Sequence, residues 1–256
     1  MSFKLRMEEA ARKTGSRIVL ALDLPPDKPE RLLTTATDIL EKTHPYICAI
    51  KLNHHLILPL GLFGHVQELL TQAKGHGLPA IMDCKINDIG NTNQIISEYY
   101  FKAGFDAVIA NPFVGWEEGM KPVLDTARQM NRGVILLVYM SHKGASEGYG
   151  QRIFTEETNR PVCQYEVFAK KALRWNADGV VVGATYPEKI RKVYAILGKA
   201  VPVYSPGIGP QGGRIQEAAR SGAEYLIVGR EITMAENPGK SAEKLRDSIQ
   251  RAENSD

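Results

Sequence analysis

Eight short apolar runs punctuate the 256-residue chain, and each is followed by a segment whose apolar residues recur at helical spacing. The runs cover residues 18–22, 47–50, 80–82, 107–110, 134–138, 180–182, 201–204 and 225–228. A strand with no polar alternation is buried on both faces, and parallel neighbours can only be joined through a crossover, usually a helix. Between the first two runs, Leu32, Leu33, Ala36, Ile39 and Leu40 mark one helix face, with Pro29 where a first helical turn tolerates it. Further helices are expected near 62–75, 92–103, 117–130, 161–175, 187–197, 211–221 and 241–252. Eight such units predict an α/β fold, a closed (β/α)₈ TIM barrel, as a single domain over residues 1–256 with a short N-terminal helix over 3–13. An open doubly wound sheet is the alternative.

The polar residues fall in register with that count. Asp23, Lys51, Asp83 with Lys85, Asn111, Ser141, Pro206 with Gln211, and Gly229 with Arg230 all lie at or just past the end of an apolar run. In a barrel those ends share one mouth, where active sites are built. The stretch "IMDCKINDIGNT", residues 81–92, carries Asp83, Lys85 and Asp88 as Asp-x-Lys-x-x-Asp. That pattern alone suits a surface ion pair. On an extended segment, however, residues 83 and 85 share one face, and in a barrel that face is the interior. Carboxylates there hold a proton on Lys85 while desolvation opposes its charge, which is the setting of an acidic lysine. Lys51 extends the line to Lys51, Asp83, Lys85, Asp88, and Asp23 is placed as a hydroxyl acceptor on the same mouth.

Gly207, Gly209 and Gly212 of "GIGPQG" fit a dinucleotide fingerprint, but they follow the seventh run, and Arg230 stands where that fingerprint wants an acid. In a barrel the loops after strands seven and eight cradle phosphate, so "IVGREITMA" supplies backbone amides and the Arg230 fork, with Gln211 closing over the same group. His54, His55, His142 and the other histidines show no metal-site spacing with carboxylates and read as loop or surface residues. Trp116 and Trp175 read as core or interhelical packing.

The net charge of +3 suits a small anionic ligand, and no basic block interleaved with aromatics suggests nucleic acid. Cys48, Cys84 and Cys163 are odd in number and widely spaced, as reduced structural thiols are. Neither a signal-peptide core nor a membrane span is evident, so a cytoplasmic protein is expected.

Together, "LALDL", "IKLN", "DCKINDIGNT", "MSHKGA", "SPGIGPQGG" and "IVGR" resemble the orotidine 5'-monophosphate decarboxylase family along the whole chain. The resemblance implies a (β/α)₈ barrel that releases CO₂ from pyrimidine C6 without metal or other cofactor, giving uridine 5'-monophosphate. It implies a homodimer with shared sites. Lys85 would be the general acid, flanked by Asp83 and by Asp88 of the neighbouring subunit, with Lys51 completing the catalytic network. Asp23 and Lys51, with Asp88 and Thr92 from the partner, would hold ribose hydroxyls. Ser141 would meet the pyrimidine, Gln211, Gly229 and Arg230 the phosphate, and Pro206 joins the substrate-binding set. Magnesium-dependent sugar-phosphate decarboxylases and aldolases share Asp-x-Lys-x-x-Asp but typically carry a glutamate ligand where Lys51 stands. A non-catalytic nucleotide-binding barrel is the other alternative.

Overall fold

The strand Gly133–Tyr139 (GVILLVY) is buried at all seven positions, and Ile18–Ala21, Ala107–Ala110, Gly179–Val182 and Tyr225–Val228 are buried throughout. Such strands need cover on both faces. In the computed structural model, which describes residues 1–155, 160–209 and 214–253, that cover comes from barrel closure inside and a ring of helices outside.

The strands are β1 (Ile18–Ala21), β2 (Ala49–Asn53), β3 (Ala80–Ile86), β4 (Ala107–Ala110) and β5 (Gly133–Tyr139), then β6 (Arg152–Ile153) and β7 (Val162–Cys163), then β8 (Gly179–Val182), β9 (Val203–Ser205) and β10 (Tyr225–Val228). Eight of them close in the order β1-β10-β9-β8-β5-β4-β3-β2, all parallel, while β6 and β7 form a separate antiparallel ribbon. The pairing of Val19 with both Ile227 and Ala49 closes the barrel and rules out the open sheet.

Helices α1 (Phe3–Thr14), α2 (Pro29–Thr43), α3 (His54–Leu60), α4 (Val66–Gly75), α5 (Gly90–Ala103) and α6 (Lys121–Gln129) serve the first half. The second half has α7 (Ala145–Gly148), α8 (Gln164–Arg174), α9 (Pro187–Leu197), α10 (Ile215–Arg220), α11 (Arg230–Thr233) and α12 (Pro238–Glu253).

Several boundaries differ from the expected ones for local reasons. The helix expected over 62–75 is split, because Phe63 and Gly64 leave helical geometry after the left-handed Gly61 (φ 72°). That expected over 117–130 starts at Lys121, since Glu117 and Glu118 are non-helical. The helix over 161–175 starts only at Gln164, because Val162 and Cys163 pair with the ribbon strand β6. Only part of 211–221 falls within the described residues, where the helix runs Ile215–Arg220.

Helix α1 lies across the N-terminal floor of the barrel. Phe3 and Met7 are fully buried, and a Cβ on Gly133 would sit 2.4 Å from the Phe3 ring, so only glycine fits beneath it. Lys4 Nζ donates to the Ala200 carbonyl oxygen and Arg6 Nη2 to that of Asn131, each at 3.0 Å. The mouth at the opposite end stays open. All three cysteines are free, and Trp116 stacks on Trp175 at 5.3 Å. Among the described residues, no helix is long and apolar enough to cross a membrane.

Candidate active site

The carboxyl ends of the barrel strands surround a cavity of about 830 Å³. Asp23, Lys51, Asp83 and Lys85 line one side, and Ser141, Pro206, Gly229 and Arg230 line the other.

The first four residues form a continuous chain of charges. Lys51 Nζ donates to Asp83 Oδ2 at 2.9 Å and lies 3.5 Å from Asp23 Oδ1. Lys85 Nζ donates to Asp83 Oδ1 at 2.7 Å. Asn53 Nδ2 donates to Asp23 Oδ1 at 2.7 Å, while its own side-chain oxygen accepts the His55 N–H and caps α3. Asn53 was not among the expected residues, although its i+2 position after Lys51 puts it on the same strand face.

Burial grades this chain from inside to outside. The side chains of Lys51, Asp83 and Lys85 are 4%, 13% and 39% exposed. Burial of Lys51 works against its charge, but the carboxylates of Asp83 and Asp23 outweigh it and raise its pKa. For Asp83 burial pushes upward, yet Lys51 and Lys85 prevail and hold the carboxyl down at about 2. Asp83 is therefore an anion under all ordinary conditions, with one cation at each oxygen.

The backbone beneath this motif is not the plain extended segment expected. β3 pairs Met82 with Val108 and Ile86 with Ala110, so Asp83, Cys84 and Lys85 stand opposite the single residue Ile109. The slack is taken up at Lys85, which sits in the left-handed region at φ 49°. Asp83 and Lys85 meet through this bulge rather than by simple alternation. Cys84, between them, is half-buried; desolvation pushes its thiol up to about 12, and its Sγ lies 3.6 Å from the Ile109 carbonyl oxygen. It is a packed thiol, not a nucleophile.

Ser141 is placed by its neighbours. A Cβ on Gly183 would lie 2.6 Å from Ser141 Cα, so the end of β8 can approach the β5 loop only as glycine. Thr185 Oγ1 donates to the Ser141 carbonyl oxygen at 2.9 Å, and Ala184 N–H donates to that of Pro206 at 2.7 Å. Gly229 precedes the short helix α11, which begins with Arg230. Gln211 lies outside the described residues.

Asp88 and Thr92 do not line the cavity of their own chain. Asp88 is exposed just past β3, and its Oδ1 accepts the Ile89 N–H at 2.7 Å. Its loop is held by Asn93, which is fully buried: Oδ1 accepts the Asp88 N–H at 3.0 Å, and Nδ2 donates to the carbonyl oxygens of Asp88 and of Gly119. The clamp works because Gly90 lets α5 reach the 116–120 segment, where a Cβ would meet the Glu118 carbonyl oxygen at 2.8 Å.

His54 and His55, expected as loop or surface residues, are exposed but also line the cavity, with Leu58 and Pro59 of α3 beside them. Sequence spacing also missed the one cluster of three His, Cys, Asp or Glu side chains found among the described residues, Glu41 with His44 and His76, which lies outside the cavity.

The family described as orotidine 5'-phosphate decarboxylase / HUMPS matches residues 16–245, nearly the whole barrel. The chain belongs to that family. An orotidine 5'-phosphate decarboxylase of Methanosarcina acetivorans is 36% identical over 233 residues, covering 91% of this chain and 94% of the relative. The Pyrococcus furiosus enzyme of the same name is 37% identical over 232 residues, covering 91% and 97%. Among solved structures, orotidine 5'-monophosphate decarboxylase from Methanocaldococcus jannaschii, complexed with the inhibitor BMP, superposes with a TM-score of 0.74 at 29% identity, covering 91% of this chain and 98% of that one.

Proposed function

We propose that the chain decarboxylates orotidine 5'-monophosphate to uridine 5'-monophosphate in pyrimidine biosynthesis, with Lys85 as the proton donor and no metal in the reaction. The observation that carries this reading is the alternating line Asp23, Lys51, Asp83, Lys85 at the barrel mouth, with Asp83 bonded to both amines. Family membership and relatives of that name support the activity.

Loss of CO₂ from C6 leaves an electron pair in the plane of the pyrimidine, where the ring π system cannot spread it. The chain must therefore meet that charge electrostatically. Lys85, held by Asp83 and the least buried of the three, presents its ammonium to the cavity. It stabilises the developing carbanion and then transfers a proton to C6, after which solvent reprotonates the amine. Asp83, bonded to the Lys85 ammonium at 2.7 Å, keeps it aimed. Ser141 and Pro206 border the ring, and Gly229, Arg230 and Gln211 take the phosphate. Binding energy from that remote group orients the ring over the amine.

Charge argues against the magnesium-dependent relatives. The space between the Asp23 and Asp83 carboxylates is filled by the Lys51 ammonium, which does there what a divalent ion would otherwise do and repels one.

We further propose a homodimer in which Asp88 and Thr92 enter the partner's cavity. Asp88 faces outward on a clamped loop, and the surface around it is apolar. Ile89 is 70% exposed, and Ile95 and Tyr99 share a face of α5, where Tyr99 meets the exposed Phe63 edge-on at 6.0 Å. Such a patch calls for cover. The free cysteines suit a reducing compartment, and we place the enzyme in the cytoplasm.

The test is spectrophotometric loss of orotidine 5'-monophosphate with EDTA present. Undiminished turnover supports the reading. Abolition by chelator with recovery in magnesium would transfer the chain to the sugar-phosphate branch, and tight nucleotide binding without turnover would make it a non-catalytic barrel.

A further inference from the structure

Away from the mouth, three side chains from separate segments converge. Glu41 lies in the last turns of α2, His44 opens the 3₁₀ turn His44–Tyr46 that follows, and His76 caps the C-terminal end of α4. The two imidazole rings stack face to face, with centroids 3.9 Å apart and planes only 10° from parallel. His76 Nε2 lies 3.0 Å from Glu41 Oε1, and one ligand atom from each of the three residues falls within 4.8 Å of the others. Gln72 donates to the same Glu41 oxygen and fixes the carboxylate.

We propose that Glu41, His44 and His76 bind a borderline divalent transition-metal ion of the zinc, nickel or copper type, and that the ion pins the end of α2 to the end of α4. Two nitrogens and one carboxylate oxygen make a three-ligand set whose fourth position is left to water. A tetrahedral ion with bonds of about 2.1 Å places its ligand atoms roughly 3.4 Å apart, so the ion would replace the 3.0 Å His76–Glu41 hydrogen bond with a slight opening of that pair, and the stacked His44 ring must turn to aim its lone pair at the same point. Gln72 stands as the outer partner that orients a ligating carboxylate. The neighbourhood also selects the class of ion. Lys13 Nζ bonds the His76 carbonyl oxygen at 3.4 Å, and one carboxylate beside an ammonium is a poor site for magnesium or calcium, which bind oxygen and charge. Imidazole nitrogen holds its preference for zinc, nickel and copper in spite of that cation. The site is remote from the cavity residues, so loading it acts on the fold and not on the proton transfer.

The experiment is calorimetric titration of the chelator-stripped full chain with Zn²⁺, paired with thermal unfolding in the same buffer. One saturable Zn²⁺ per chain and a raised Tm are expected. His76→Ala should remove both effects, Glu41→Gln should weaken binding strongly, and Gln72→Ala should weaken it by about tenfold or more. Should His76→Ala fold poorly, Glu41→Gln preserves size and carries the test alone. Absence of a Zn²⁺-dependent Tm shift in the parent chain, or binding that persists unchanged in Glu41→Gln and His76→Ala, overturns the proposal.

Discussion

Lys51 Nζ, with its side chain 4% exposed, donates to Asp83 Oδ2 at 2.9 Å across neighbouring strands. The Asp83 carboxyl, held at about 2 against an ordinary 3.8, couples this contact to stability. A carboxyl depressed in the folded state contributes stability above its unfolded pKa and loses it as pH falls through the folded value. The contribution, about 2 kcal/mol, should therefore be present at neutral pH and disappear between pH 3.8 and about 2. Urea unfolding from pH 7 down to pH 2 reads this directly. In Asp83→Asn that acid limb should flatten. Lys51, raised in the fold, contributes the opposite way: its share is fully present below 10.5 and is lost as pH rises above that through the folded value.

The two lysines should separate stability from catalysis. Lys51→Ala leaves Asp83 buried beside an empty space, and breaking a buried pair costs about 3–5 kcal/mol. Lys85 is 39% exposed, so Lys85→Ala should cost roughly 1 kcal/mol or less while lowering kcat by a factor on the order of 10²–10⁴ or more. Denaturation curves beside steady-state kinetics on both variants decide it. Normal turnover in folded Lys85→Ala would remove the proposed proton donor.

Shared sites can be tested by mixing. Asp88→Ala and Lys85→Ala chains, each nearly inactive alone, should regain activity when refolded together, because one hybrid site in each mixed dimer carries both residues. Hybrids that demonstrably form and stay silent would refute the contribution of Asp88 across the interface.

Asn93→Ala should imitate the loss of Asp88 without touching it. Removing the clamp strands the Gly119 carbonyl oxygen and frees the Asp88 loop, at a cost of about 1–3 kcal/mol. A fall in kcat larger than any fall in cavity-side phosphate affinity is the expected kinetic signature.

Gly183→Ala should strike Ser141 from behind. With only 2.6 Å between the added Cβ and Ser141 Cα, the β5 loop must retreat, at about 1–3 kcal/mol and with a raised KM. Inhibitor-bound crystals of the variant would show the displaced loop.

What could be read from the chain follows the physics of each feature. A strand covered on both sides needs unbroken apolar residues, so runs such as 134–138 and 225–228 were visible, and the mouth followed from where they stop. Lys51 and Asp83 stood out as charges ending buried runs. Features resting on contacts remote in sequence were invisible: the Asn93 bond to Gly119 spans 26 residues, and the His44–His76 stack joins segments that local periodicity never compares. At the break, the Glu118 carbonyl passes so close to Gly90 that a Cβ there would meet it at 2.8 Å, a contact that local propensity does not report. Nor does a lysine advertise a left-handed backbone, which is why the bulge at residues 83–85 read as ordinary alternation.

That backward twist in the main chain means the aim of the amine is written largely into the peptide, leaving less to four flexible methylenes. An engineer hoping to steer the proton to a different ring atom would gain little from swapping nearby side chains. Lengthening or trimming the loop of backbone opposite Ile109 would swing the proposed donor bodily, and grafting the same three letters onto a straight strand elsewhere would point its amine the wrong way.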